Sequence, residues 1–298
     1  MDNINIMEKI GLVTEEAADL TQEIIEKNQI AIVPVKLDWP EIKDLPGENT
    51  FQKMRELERR GIKSFGKTSQ PSPKDFLDSF QEQLEKFDNI ICIAITSKLS
   101  GTYNSAIQAK NFLQPEQQEK VSIIDSLSAS AGESLLVLRA IDLIREGKRA
   151  GEIVEELENL IPRIRFFAMF EDPKWIEASG RISSFVANLL RKLAKMGIRP
   201  LLSLKNGVLV PVGIKARAKD IPTALFKQFE KEVQKSKKKE KEIKVVITHG
   251  DDAEGAQRLK EMIENQFKNA KVAFINIIDN ILGSISGPNT IICAWYEK

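Results

Sequence analysis

The sequence predicts an α/β protein, with a parallel sheet covered by helices in its first half and a second unit of mixed sheet and helices after it. Three observations lead there. Short apolar, β-branched runs alternate with amphipathic segments of helical period through the first half, the pattern of a parallel sheet joined by crossover helices. Asn206-Gly207 stands between the apolar runs Leu201 to Leu204 and Val208 to Ile214, a hairpin signal that brings antiparallel pairing into the second half. The chain has 298 residues, 42% of them hydrophobic and 29% charged, which fits about two globular domains, each with its own core. We expect the units to be residues 1–162 and 163–298.

Taken in order, the predicted strands of the first unit are Ile10 to Thr14, Ala31 to Leu37, Ile90 to Ile95 and Val121 to Ile124. The predicted helices between them are Ala17 to Lys27, Phe51 to Arg60, Pro73 to Phe87 and Ala129 to Glu146. Asp38 to Asn49, with Pro40 and Pro46, breaks the rhythm and is expected as a loop over one edge. Pro73 suits a first helical position, Ser72 its cap, and Asp75 adds favourable charge in the first turn. A helix from Ala150 to Leu160 leads to Phe166 to Phe170, which opens the second unit as a strand or apolar strip. Ser183 to Met196 is expected as a helix stopped by Gly197 and Pro200. Strands at Lys244 to Thr248, Val272 to Ile277 and Thr290 to Tyr296 follow, with a helix from Ala253 to Phe267. The lysine-rich run Lys235 to Lys241 is expected as a solvated helix end, since lysines favour helix C-termini.

Charge and rare residues exclude several classes. Lys+Arg of 44 against Asp+Glu of 43 leaves +1, so nothing in the charge calls for nucleic acid or an acidic membrane surface. Cys92 and Cys293, the 2 cysteines, sit in apolar runs as small hydrophobes, and with 1 histidine no spacing resembles a metal site. The start Met1-Asp2-Asn3-Ile4 lacks the features of a secretion signal, and no run has the length of a membrane span, so a cytoplasmic protein without stable membrane insertion is expected.

Two hydroxyl-rich turns carry the chemistry. Thr96 to Ala106, T-S-K-L-S-G-T-Y-N-S-A, links the run ending at Ile95 to a helical segment reaching Leu113. In open parallel sheets ligands gather at the carboxyl ends of strands, and amides at a helix N-terminus attract an anion. Ser100, Gly101 and Thr102 are the candidates, although Ser100 equally suits a plain helix cap. In Lys67 to Pro73, K-T-S-Q-P-S-P, a structural role needs only Ser72 and Pro73, which leaves Thr68 and Ser69 free to meet the same head group.

T-S-Q-P-S-P followed by S-K-L-S-G-T-Y-N-S-A resembles the DegV family of bacterial fatty-acid-binding proteins. Further matches follow in order at Ile124-Asp125-Ser126, Ser179-Gly180-Arg181-Ile182-Ser183, Lys215-Ala216-Arg217, His249-Gly250-Asp251 and Gly283 to Asn289, so the resemblance spans nearly the whole chain. It implies two α/β domains with a ligand slot between them, holding one long-chain fatty acid as ligand and no cofactor. The implied carboxylate contacts are Thr68, Ser69, Ser97, Ser100 and Gly101, with Asp125 and Ser126 nearby. The resemblance also implies a carrier that catalyses nothing itself and presents the acid to a dihydroxyacetone-kinase-like fatty acid kinase for acyl phosphate formation. Arg181, Lys215 and Arg217 would then meet a phosphoryl group or the partner, or form ordinary surface ion pairs.

The chain departs from the family pattern in two places. The usual Asp-Ser before Ala-Asp-Leu is here Glu15-Glu16-Ala17-Ala18-Asp19-Leu20. The usual G-T-H-x-G-P-G is Gly283-Ser284-Ile285-Ser286-Gly287-Pro288-Asn289, with Ile285 in place of the histidine expected beside the carboxylate and Ser286 after it. Two alternatives stay open. One is a non-lipid regulatory or interaction protein on the same fold. The other is a serine hydrolase in which His249, oriented by Asp251 or Asp125, activates Ser97 or Ser100, although no G-x-S-x-G elbow is present.

Overall fold

The structure is a computed structural model that describes residues 8–196, 198, 200–214, 220–235 and 241–298. Its first half runs β1 (Ile10–Glu15), a 3-10 turn (Glu16–Ala18), α1 (Gln22–Lys27), β2 (Ala31–Val33), β3 (Lys36–Asp38), α2 (Thr50–Arg59), β4 (Lys67–Ser69), α3 (Pro73–Leu84), β5 (Asn89–Ala94), α4 (Thr102–Asn111), α5 (Pro115–Gln118), β6 (Val121–Asp125), α6 (Ala131–Arg145) and α7 (Ala150–Leu160). The second half runs β7 (Arg165–Met169), α8 (Lys174–Ala178), α9 (Ser184–Lys195), β8 (Pro200–Lys205), β9 (Val208–Ile214), α10 (Ile221–Lys235), β10 (Ile243–His249), α11 (Ala253–Gln266), β11 (Ala270–Ile277), α12 (Asn280–Ser286) and β12 (Ile291–Glu297).

Strands β2-β1-β5-β6 form an all-parallel sheet, and β11-β10-β12-β7-β8-β9 form a mixed one in which only β10 and β11 pair in parallel. The fold class expected from the sequence is therefore the one observed. Strand β5 is buried along nearly its whole length, as expected for a central parallel strand covered on both faces. Helix α3 begins on Ser72 with a full capping box to Asp75 and Pro73 at its first position. Asn206 (φ 48°) and Gly207 (φ 79°) make the left-handed two-residue turn between β8 and β9, which only residues tolerant of positive φ sustain.

Helix α6 explains how the two sheets join. Most of its residues are buried, because it packs against β5 of the parallel sheet and against β10 and β12 of the mixed one. A helix covered on all sides cannot keep a polar face, hence the run Leu135-Leu136-Val137 and the buried Ala140, Ile141 and Leu143. The largest core cluster accordingly takes in Ile91 and Leu135 together with Phe166, Val246 and Ile292.

Two local readings change, and one helix is added. Ala31 to Leu37 is two strands: Pro34 supplies no amide to a ladder, and after it the chain leaves the parallel sheet for a separate antiparallel pair in which Leu37 faces Thr68. Helix α1 starts later than expected because Asp19 adopts a left-handed conformation (φ 51°) and Thr21 becomes the cap, its hydroxyl accepting from the Ile24 amide at 3.4 Å. The segment Asn280–Ser286 is helical despite Gly283 and two serines, since the Asp279 carboxylate accepts from the Ile281 and Leu282 amides.

Candidate functional site

The carboxyl ends of β1, β5 and β6 face the mixed sheet across a narrow, largely apolar slot that opens to solvent, with about 800 Å³ between its walls and at its mouth. The apolar wall comes from both sheets: Ile95 and Leu99 beyond β5, Phe166 and Ile292 on β7 and β12, Leu204 and Leu209 on the hairpin. Phe166 and Phe170 take part, while Phe167 packs on the other face of β7 against Trp295. Burying apolar ligand surface here gains roughly 25 cal/mol per Å².

The polar groups of the wall gather from several elements. Thr68 lies on β4 with its hydroxyl turned inward, while strand alternation turns Lys67 and Ser69 to solvent. Ser100 precedes α4 as the residue before its cap, Gly101: its Oγ accepts from the Thr102 amide at 3.3 Å and shares a hydrogen with Thr102 Oγ1 at 2.8 Å. The cap residue Gly101 has no side chain to cap α4, and Ser100 occupies only the Thr102 amide, so the N-terminus keeps its attraction for an anion. Gly101 contributes by its smallness. A Cβ there would lie 2.2 Å from Gln70 Oε1, so the Gln70 side chain rests on Gly101 and the two hydroxyl-rich turns meet.

Arg181 completes this end. Gly180 (φ 70°) reverses the chain after α8, and the Ser179 hydroxyl accepts the Arg181 amide at 3.3 Å. The guanidinium, more than half buried, donates to Thr68 Oγ1 at 2.5 Å and to the Ser179 carbonyl at 3.3 Å. Among the described residues it has no carboxylate partner, and partial burial pulls its pKa below the ordinary arginine value while leaving it charged. A guanidinium without a carboxylate partner, beside the Thr68 and Ser100 hydroxyls, is an anion site in chemical terms.

Of the other residues singled out in the sequence, Ser97, Asp125, Ser126 and His249 are not among those lining the cavity. The Ser97 amide is held by Asp125 Oδ1 at 3.1 Å, and the same oxygen accepts from the Leu127 amide. Ser126 closes a local turn onto Ser128. His249 is buried and its Nδ1 accepts from the Asp252 amide at 3.1 Å, which closes the turn into α11. Asp251 pairs with Arg55, so Ser97, Ser100, His249 and the acids required of a hydrolase are not assembled. Ile285 and Ser286 do line the cavity. Lys215 and Arg217 lie outside the described residues.

Sequence reasoning missed a buried carboxyl quartet beneath the slot. Glu15, whose side chain reaches the cavity wall, accepts from the Ile95 amide at 2.8 Å and lies beside Glu133, which accepts from Thr14 Oγ1 at 3.0 Å. Asp19 accepts from the Asp279 amide at 2.7 Å and from Ser130, whose hydroxyl also meets Thr248 Oγ1 at 2.7 Å. Burial without a cation pushes Glu15 up to about 7 and Asp279 up to about 6, and raises Glu133 and Asp19 well above the usual carboxylate range. Burial therefore disfavours the doubly charged form of each pair. The only signal in the sequence was Glu15 at the end of an apolar strand, and nothing there points to Glu133.

With the geometry in place, comparison with known proteins is direct. A family model described as "Uncharacterised protein, DegV family" matches residues 9–298. The chain belongs to the DegV family. A DegV domain-containing protein of Clostridium acetobutylicum is 36% identical over 203 residues, 67% of this chain and 70% of that one. A protein of Thermotoga maritima named "fatty acid-binding protein" is 26% identical over 292 residues, 95% of this chain and 96% of its own. A solved structure described as fatty acid binding of a DegV family protein from Thermus thermophilus superposes with a TM-score of 0.83 at 26% identity, covering 97% of this chain and 100% of that one. Among the described residues of this DegV chain no helix is long and apolar enough to cross a membrane.

Proposed function

We propose that this chain binds one long-chain fatty acid, tail in the slot and carboxylate against Arg181, Thr68, Ser100 and the N-terminus of α4. The observation that carries the reading is the pairing of an apolar slot with a single unpaired guanidinium at its polar end. Relatives named for fatty-acid binding support it. Each methylene buried contributes about 0.8 kcal/mol, and each hydrogen bond to the carboxylate about 1.5 to 3 kcal/mol. Affinity thus comes chiefly from the tail, and orientation from the head-group contacts.

The protein acts as a carrier and not as an enzyme: it presents the acid, in the cytoplasm, to a separate fatty acid kinase that forms the acyl phosphate. Calorimetric titration with palmitate tests the binding. Arg181→Ala lowers affinity about tenfold to hundredfold, as loss of one charged contact requires. Equal affinity in that variant contradicts the head-group assignment, and acyl phosphate formed by this chain with ATP and no partner contradicts the carrier role.

A further inference from the structure

The hydroxyls in the cavity wall fall into two groups. Those of Thr68, Ser100, Thr102 and Ser130 all have partners within the protein. Ser286 Oγ is buried in the same wall, in a residue only 5% exposed, and among the described residues it has none. Its neighbour Ser284, on the same helix, shows the ordinary solution, donating to the Ile281 carbonyl at 2.7 Å. Ser286 is held in place by its backbone, since its carbonyl accepts from Thr290 Oγ1 at 2.8 Å.

A buried hydroxyl without a partner is costly, so such groups usually mark a missing one. The position of Ser286 identifies it. Gly287, the next residue, is pressed on α8: a Cβ there would lie 2.2 Å from the Trp175 ring. Helix α8 leads through Ser179 and Gly180 to Arg181, and Ser286 and the guanidinium line the same cavity.

We propose that the Ser286 hydroxyl donates a hydrogen bond to the carboxylate of the bound acid and is a further head-group residue, supplied by α12. This rests on the fatty-acid reading above. A carboxylate oxygen accepts what Ser286 offers, whereas a methylene of the tail does not. Because Ser286 Oγ makes no bond within the protein, its removal leaves the ligand-free fold intact and weakens only the acid.

The test compares wild type, Ser286→Ala and Ser286→Thr by titration with palmitate and with cetyl alcohol, which has the same chain without the carboxylate, alongside urea unfolding of the ligand-free proteins. Palmitate affinity falls about tenfold or more in Ser286→Ala. Alcohol affinity changes much less, the unfolding midpoint is unchanged, and Ser286→Thr restores binding of the acid. Equal palmitate affinity in wild type and Ser286→Ala overturns the assignment, as does an equal loss for acid and alcohol. Wild type that binds neither probe overturns the fatty-acid reading itself, a result distinct from these.

Discussion

Two clusters of ionisable groups sit at the ends of the parallel strands, and they handle charge in opposite ways. At the slot's polar end, Arg181 is part-buried, keeps its charge and has a hydroxyl and a carbonyl for partners instead of a carboxylate. Beneath the slot, Glu15, Glu133 and Asp19 are buried and Asp279 is partly buried; among the described residues they have no cation partner, and burial favours their protonated forms. The cost of ionising a group in a dry interior explains the difference: a carboxyl escapes it by taking up a proton, while arginine cannot lose one and must await an anion. On the proposed function the first meets a ligand, while the second ties the two sheets together through Asp19, Ser130 and Thr248.

The strongest way to break this contrast is to exchange the effects of mutation. Asp19→Ala strips the acceptor from the Asp279 amide and the Ser130 hydroxyl in a buried network, and we expect it to cost about 3 kcal/mol or more. Arg181→Ala, by contrast, changes stability by less than about 0.5 kcal/mol while reducing binding. Urea unfolding of both ligand-free variants measures this. Comparable destabilisation by the two would erase the distinction.

The next effect is on pH. Folded pKa values of about 7 for Glu15 and about 6 for Asp279 exceed the ordinary 4.5 and 3.8, so between those limits the folded state binds more protons than the unfolded one. Stability must then fall as pH rises from about 4 to 7. Buried His249 works the other way at the acid end, because burial lowers its pKa and the unfolded chain takes up its proton first. Glu133→Gln isolates the quartet: its unfolding midpoint should vary less steeply with pH than that of wild type. A wild-type midpoint that rises from pH 5 to 7 would show that the carboxyls are not protonated in the fold.

The smallest expected effect sharpens the polar end. Ser69→Ala, one residue from Thr68 on the solvent side of β4, should change palmitate affinity less than twofold, as measured by the same titration. A loss as large as that of Thr68→Ala would mean that both hydroxyls reach the ligand.

These contrasts mark what local pattern could convey. The parallel sheet, the hairpin at Asn206-Gly207 and the cap of α3 followed from spacing and turn chemistry. Thr68 and Ser100, which line the slot, stood out as hydroxyls in turns beside strand ends, whereas Arg181 was marked only by the family resemblance, for a phosphoryl group or a partner. The quartet was not, since Glu15 and Glu133 meet only after α6 has packed between the sheets. For the same reason α1 was drawn too long: Asp19 leaves helical geometry where its carboxylate meets Ser130 and the Asp279 amide, partners far along the chain. The strand from Ala31 to Leu37 misled because its apolar pattern continues through Pro34, where the hydrogen bonding does not.

Native mass spectrometry of the purified protein, followed by extraction of whatever it carries, tests fatty-acid binding most directly. The expected result is a chain mass increased by one fatty acid, with the adduct diminished in Arg181→Ala. A chain that flies without an adduct, and still does so after incubation with palmitate and oleate, would contradict it.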